Sequence, residues 1–130
     1  MPGVEGKGAP IRVLVIDDEE DARVLVRDQL ADADSIEIVG EGANLEDAAK
    51  LSEELTPDVV LLDWAMPQGS GARAAAEIQE VSPSTRVLGF SSGDPTQASY
   101  DMMTGGAVGF VSKSADVDEL IRSIESVARW

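Results

Sequence analysis

Side chains that could do chemistry together follow four apolar segments of the sequence. Carboxylates follow two segments, a hydroxyl follows the third and an ammonium group follows the fourth; they are Asp17, Asp18, Asp63, Ser91 and Lys113. The chain contains no histidine and no cysteine, which excludes the commonest general base and all thiol chemistry. The remaining side chains are suited to binding a hard divalent cation and a phosphoryl group.

The three carboxylates allow two interpretations. Asp17 and Asp18 could simply cap a helix, and Asp63 could be a turn residue at a strand end. However, Glu19 and Glu20 already complement the helix dipole, and three carboxylates in one concavity raise one another's pKa or recruit a cation. An oxygen-only set suits Mg²⁺, and a carboxylate beside that ion is a competent nucleophile toward a phosphoryl group.

Ser91 lies in the run Gly89-Phe90-Ser91-Ser92-Gly93, which matches the nucleophile elbow of serine hydrolases. Such a hydrolase needs a histidine base, and the chain has none. Ser91 is therefore interpreted either as a turn serine or as a hydroxyl donor to a phosphoryl oxygen.

Lys113 could be an ordinary surface lysine. The chain has only 10 Lys and Arg residues against 25 Asp and Glu residues. An ammonium group at the same sheet edge as three carboxylates would be held there by their charge. In that position Lys113 could bind a phosphoryl oxygen.

Strand and helix patterns alternate from residue 11 onward. The predicted strands are Ile11–Ile16, Ile36–Val39, Asp58–Leu62, Arg86–Phe90 and Ala107–Val111. The predicted helices are Glu19–Ala31, with Ala22, Leu25, Val26 and Leu30 inward, Asn44–Leu55, an alanine-rich helix ending near Val81, a helix from Asp94 to Gly105, and a last helix capped by Ser114.

This alternation predicts an α/β fold of the flavodoxin-like, doubly wound type. Its five-stranded parallel sheet has the strand order 2-1-3-4-5, with helices on both faces. Ligands in such folds bind beyond the carboxyl ends of the strands, where the five reactive side chains lie. The end of the second strand, Gly40-Glu41-Gly42, offers little chemistry.

Length and composition bound the number of domains and the class of partner. The chain has 130 residues, of which 43% are hydrophobic, as expected for one globular domain. Residues 1–10 are expected to be a flexible leader and residues 11–130 the domain. The net charge of −15 disfavours direct nucleic-acid binding, and no apolar run suits a membrane span. The absence of cysteine favours a cytoplasmic location.

Four motifs resemble, in order and in strand context, the receiver domain of two-component response regulators. They are Val15-Ile16-Asp17-Asp18, Leu62-Asp63-Trp64-Ala65-Met66-Pro67, Phe90-Ser91-Ser92 and Phe110-Val111-Ser112-Lys113. The resemblance covers residues 11–128. One departure is Ser114, which stands where the family usually has a proline in a cis peptide bond; a cis bond is therefore not expected here.

The resemblance implies a role for each residue of the site. Asp63 would be the phosphoacceptor, and Lys113 would bind the phosphoryl group. Asp18, Asp63 and the carbonyl group of Ala65 would ligate Mg²⁺ directly, and Asp17 would act through water.

The predicted function is a phosphorylation switch rather than a turnover enzyme. A sensor histidine kinase or a phosphotransfer protein would phosphorylate Asp63, and the domain would catalyse only this transfer and its own dephosphorylation. Ser91 and Phe110 would be switch residues that alter the surface of the helix after the fourth strand, the fifth strand and the last helix, where a second copy or an effector would bind. The alternatives are a receiver-like interaction module that works without phosphorylation and a metal-dependent phosphohydrolase.

Overall fold

Five parallel strands form the sheet of the computed structural model, which describes residues 9–65, 71–92 and 105–129. The strands are β1 (Ile11–Ile16), β2 (Ile36–Gly42), β3 (Val59–Asp63), β4 (Arg86–Ser91) and β5 (Gly109–Ser112). Their order in the sheet is β2-β1-β3-β4-β5, and every neighbouring pair is parallel. The predicted fold class and strand order are confirmed.

Helices accompany the strands in the order that the sequence predicts. They are α1 (Glu20–Leu30), α2 (Leu45–Leu55), α3 (Gly71–Val81) and α4 (Val117–Ala128). The helix predicted from Asp94, the loop of residues 66–70 and residues 1–8 of the leader lie outside the described residues. Within the described ranges, no helix is both long enough and apolar enough to cross a membrane.

The core has two layers because successive side chains of β1, β3 and β4 point to opposite faces of the sheet. One layer joins alternate strand residues to α1 and α4, and its members include Val13, Val15, Leu61, Val26 and Ile124. The other layer joins the intervening residues to α2 and α3, and its members include Leu14, Ile16, Leu62, Ala48 and Ile78. Helices therefore cover both faces, which explains why the central strands are apolar throughout.

Four strands run further toward the carboxyl edge of the sheet than the sequence predicts, and β3 and β4 are the two of them that gain a residue of the site. Asp63 is the last residue of β3 and Ser91 is the last residue of β4, so neither lies in a following loop. Asp63 also keeps its register opposite Phe90. The backbones that carry these two side chains are therefore fixed by the sheet.

Two predictions about helices are wrong. The N-cap of α4 is Asp116, whose side chain accepts a hydrogen bond from the Glu119 N–H at 2.9 Å, whereas Ser114 lies before the helix. Leu25 does not face the core, because 52% of its surface is exposed on α1. By contrast, Asn44 caps α2 as predicted, with its side-chain oxygen 2.8 Å from Asp47 N.

Candidate functional site

Three carboxylates from two central strands meet at the carboxyl edge of the sheet. Asp17 and Asp18 follow β1 directly, and Asp63 ends β3, the strand beside it. One oxygen of each lies within 4.8 Å of one oxygen of the others. Asp17 and Asp63 are buried, whereas Asp18 is exposed. The cluster therefore opens to solvent on the side of Asp18.

Lys113 brings its ammonium group into this cluster from the end of β5. Its Nζ lies 2.8 Å from Asp17 Oδ2, 3.6 Å from Asp63 Oδ2 and 3.9 Å from Glu19 Oε1. The backbone N–H of Lys113 donates to the Ser91 carbonyl oxygen at 2.9 Å, so the lysine is anchored to β4. Its ammonium group also lies 5.5 Å from the centre of the Phe90 ring.

The surroundings of Asp63 change its proton affinity. Burial is the largest influence and raises the pKa of Asp63 from 3.8 to about 6. The Ala65 N–H, which donates to Asp63 Oδ1 at 3.0 Å, and the Lys113 charge lower this pKa, while Asp17 and Asp18 raise it. Asp63 is therefore predominantly ionised at pH 7 but binds a proton more readily than an exposed aspartate does.

The pKa of Lys113 is governed by the same cluster. Burial alone would lower this pKa, but the hydrogen bond to Asp17 and the charges of Asp63, Asp17 and Glu19 outweigh burial, so that the pKa is raised above 10.5. Lys113 therefore stays positively charged at neutral pH beside the carboxylates.

Asp17 is held in place by several backbone and side-chain contacts. Its N–H donates to the Gly42 carbonyl oxygen at 3.0 Å, and its Oδ1 accepts from Glu19 N at 3.0 Å. Its own carbonyl oxygen accepts from Arg23 Nη1 at 2.5 Å, and Arg23 Nε lies 3.6 Å from Glu41 Oε1. The end of β2, to which the sequence assigned little chemistry, thus contributes Glu41 to the support of the site.

Trp64, which follows Asp63 directly, packs against the start of α3. Its N–H donates to the Phe90 carbonyl oxygen at 3.1 Å, and its ring lies against Gly71 at the start of α3. A Cβ atom at Gly71 would overlap Trp64 Cδ2. A glycine is therefore required at residue 71 if the indole ring is to keep this position.

The two predicted switch residues occupy different places in their strands: one ends its strand, and the other lies before the end. Ser91, the final residue of β4, pairs with Ser112 and bonds through its carbonyl oxygen to Lys113. Phe110 is 41% exposed on β5 and lines a groove of about 280 Å³ beside α4, together with Arg122. The aromatic ring is thus in an outward position.

The loop after Lys113 is shaped by serine hydroxyl groups. Ser112 Oγ lies 2.8 Å from Ser114 Oγ and accepts a hydrogen bond from the Ser114 N–H at 3.1 Å. The described part of the chain contains no cis peptide bond. Ser114 therefore participates in a local turn that a proline, which has no N–H, could not form.

The donor set at the cluster could hold a divalent metal ion. Carboxylate oxygens alone are the ligands that Mg²⁺ prefers, usually one or two together with retained waters. Asp63 and Asp18 would supply such ligands, and Asp17 lies close enough to take part. The residues present therefore fit a hard cation.

Comparisons with known proteins agree with this geometry. The family model of the response regulator receiver domain matches residues 13–125. The response regulator GacA of Pseudomonas aeruginosa is 33% identical over 117 residues, which are 90% of this chain and 55% of that protein. The nitrate/nitrite response regulator NarL of Escherichia coli K12 is 31% identical over 119 residues, 92% of this chain and 55% of that protein. The chain thus spans about half the length of these curated relatives.

Solved structures show the same architecture. The signal receiver domain of a NarL response regulator from Mycobacterium tuberculosis has a TM-score of 0.87 at 33% identity, covering 94% of this chain and 98% of that one. The response regulator domain of Thermotoga maritima CheB has a TM-score of 0.83 at 27% identity, with the same coverage. With the family match over most of its length, the chain belongs to the response regulator receiver domains of two-component signal transduction.

Proposed function

We propose that this domain is a phosphorylation switch in which Asp63 accepts a phosphoryl group from a histidine kinase or a phosphotransfer protein. The observation that carries the proposal is the placement of the Lys113 ammonium group 3.6 Å from Asp63 Oδ2, beside two further carboxylates. A buried carboxylate, an ammonium group and further carboxylate oxygens lie together at one edge of the sheet, an arrangement that supports nucleophilic attack by Asp63 and binding of a metal ion.

The transfer forms one bond and breaks one. A carboxylate oxygen of Asp63 attacks the phosphorus of the donor's phosphohistidine, and a P–O bond forms as the P–N bond breaks. The imidazole nitrogen keeps the electron pair of the broken bond, and a proton on the other ring nitrogen leaves the imidazole neutral. Asp63 must be ionised to attack, and a cation bound beside it would favour this form by lowering its pKa below the metal-free value of about 6.

The other residues of the site bind and orient the phosphoryl group. Lys113 contributes a point charge to one phosphoryl oxygen. The Ser91 hydroxyl group, on the adjacent strand, donates to another. Asp18, Asp63 and the Ala65 carbonyl oxygen would hold a Mg²⁺ ion, with Asp17 acting through water, and the bound ion would offset charge on the transferring oxygens.

The output depends on a change that starts at Ser91. Attraction of its hydroxyl group to phosphoryl oxygens moves the end of β4, and Phe110 turns inward from its exposed position on β5. The surface of β5 and α4 then changes for an effector or a second copy. The domain catalyses only its own phosphorylation and dephosphorylation.

The test is phosphorylation by acetyl phosphate and Mg²⁺, followed by intact-protein mass spectrometry. We expect the parent to gain the mass of one phosphoryl group and Asp63→Asn to gain none. Asp58→Asn is the matched control, because Asp58 is an exposed carboxylate that precedes the opposite end of β3, and it should be phosphorylated like the parent. Equal labelling of Asp63→Asn would refute the phosphoacceptor, and an unlabelled parent would favour an interaction module that works without phosphorylation.

A further inference from the structure

Arg23 of α1 contacts the site through a backbone carbonyl group, although its positive charge would favour one of the carboxylates. Its guanidinium group donates from Nη1 to the carbonyl oxygen of Asp17 at 2.5 Å, rather than to a carboxylate of the cluster. The Arg23 side chain is 18% exposed, so this contact is largely shielded from water. An arginine carries a planar fork of donors that can bridge two partners at once.

The second partner of this fork lies on the edge strand. Arg23 Nε is 3.6 Å from Glu41 Oε1 on β2, and Arg27 Nη1 is 2.9 Å from Glu41 Oε2. The Glu41 side chain is 24% exposed. Glu41 therefore connects β2 to two successive turns of α1, but only Arg23 continues the connection to Asp17.

The Asp17 carbonyl group, which Arg23 contacts, determines the position of the Asp18 backbone. The peptide group between Asp17 and Asp18 is planar, so the direction of the Asp17 carbonyl group fixes the nitrogen and Cα of Asp18. The Asp17 N–H is fixed separately by the Gly42 carbonyl oxygen. Asp18 is the exposed member of the cluster, and its backbone therefore depends on these contacts.

We infer that Arg23, held by Glu41, is a positioning residue that sets the affinity of the carboxylate cluster for a divalent cation. This inference rests on the proposed function, since it concerns the same metal site. Loss of an outer partner that orients metal ligands typically weakens binding by 10- to 100-fold. We expect about a tenfold loss for Arg23→Ala, since Mg²⁺ keeps several waters and depends on few protein ligands.

The direction in which the Mg²⁺ affinity of Arg23→Ala changes distinguishes a positioning role from an effect of charge. A guanidinium group beside the cluster repels a divalent cation, so an effect of charge alone would make Arg23→Ala bind Mg²⁺ more tightly. A positioning effect makes it bind more weakly. Arg27→Ala is the matched control: it removes the same charge and a bond to the same Glu41, but Arg27 is not the residue that contacts Asp17.

The experiment is isothermal titration calorimetry of the metal-free proteins with MgCl₂, at a temperature where circular dichroism shows every variant folded. We expect about tenfold weaker binding for Arg23→Ala, an intermediate loss for Glu41→Gln, and parent-like or slightly tighter binding for Arg27→Ala. Glu41→Gln keeps the test decisive if Arg23→Ala does not fold.

Three results would overturn the inference: unchanged or tighter binding by Arg23→Ala, unchanged or tighter binding by Glu41→Gln, or an equal loss in Arg27→Ala. In each of these cases the parent still binds Mg²⁺ and can still be phosphorylated on Asp63, so the proposed function stands. If the parent itself binds no Mg²⁺, the metal-dependent function fails together with the inference.

Discussion

Replacing Asp63 by asparagine in metal-free buffer should make the protein more stable at pH 7. Asparagine has nearly the same shape, and its side-chain oxygen can still accept the Ala65 N–H that Asp63 Oδ1 accepts at 3.0 Å. The substitution removes a buried carboxylate that lies beside Asp17 and Asp18. What it loses is the attraction to Lys113, whose Nζ lies 3.6 Å from Asp63 Oδ2.

The magnitude follows from the pKa of Asp63, which burial above all raises from 3.8 to about 6. That pKa already includes the favourable charge of Lys113. One pKa unit corresponds to about 1.4 kcal/mol, so the ionised carboxylate lowers the free energy of unfolding by about 3 kcal/mol. We therefore expect Asp63→Asn to gain up to about 3 kcal/mol at pH 7.

The raised pKa of Asp63 determines the direction in which the parent's stability changes with pH. Between pH 3.8 and about 6 the folded protein holds a proton on Asp63 that the unfolded chain has released, so the stability of the parent falls as pH rises through this window. Below it, Asp63 is neutral in both states and the penalty is absent. The penalty is nearly complete by about pH 7.

Urea unfolding of the parent and Asp63→Asn, measured from pH 3.5 to 7.5 in EDTA, tests this reasoning. The difference in unfolding free energy should grow by about 2 kcal/mol between pH 4 and pH 6.5 and level off near pH 7. Mg²⁺ at about 100 times its Kd should stabilise the parent by about 2.7 kcal/mol and remove most of the difference at pH 7. A difference that is constant with pH, or that shrinks as pH rises, would show that the pKa of Asp63 is not raised.

Three further substitutions test neighbouring contacts. Lys113→Met should destabilise the fold by about 3 kcal/mol, because it leaves Asp17 and Asp63 without their cation. The pKa of Asp63 should also rise above 6. The same urea series measures both quantities, and an unchanged pKa would contradict the ion pair. Asp18→Ala should change stability by less than about 0.5 kcal/mol because Asp18 is exposed. It should nevertheless reduce the rise in Tm that MgCl₂ causes. A rise in Tm equal to that of the parent would exclude Asp18 as a ligand. Gly71→Ala should displace the Trp64 ring, cost about 1–3 kcal/mol and shift tryptophan emission to longer wavelength, whereas unchanged emission would show that the ring does not rest on α3.

The strand order was predictable because the sheet is covered on both faces. β1 and β3 need apolar side chains on each side, and β2 at the edge does not; this difference is visible in the runs Ile11–Ile16 and Ile36–Val39. Once the order is known, the rule that parallel strands present their carboxyl ends at one edge places Asp17, Asp63 and Lys113 together. The charged core of the site therefore follows from pattern and topology.

Contacts between charged side chains on different elements were not predictable in the same way. The partnership of Arg23 with Glu41 depends on the rotation of α1 over the end of β2, and no periodicity of either segment encodes that rotation. The N-cap of the last helix is a different case. Asp116 followed three residues later by Glu119 resembles a capping-box spacing, so the sequence contained a signal that favours Asp116 over Ser114.

Charge balance at the cluster explains why events at Asp63 can change the structure around it. Three carboxylates and the single ammonium group of Lys113 leave two negative charges uncompensated in a partly buried site. A divalent cation would bring this sum to zero. A phosphoryl group on Asp63 would then replace one negative charge with nearly two, which restores an excess that must be met by new donors. Lys113 is already present and is bonded through its backbone to Ser91, whose hydroxyl group at the end of β4 could serve as a further donor. We expect the demand for that donor to link chemistry at β3 to movement at β4 and β5.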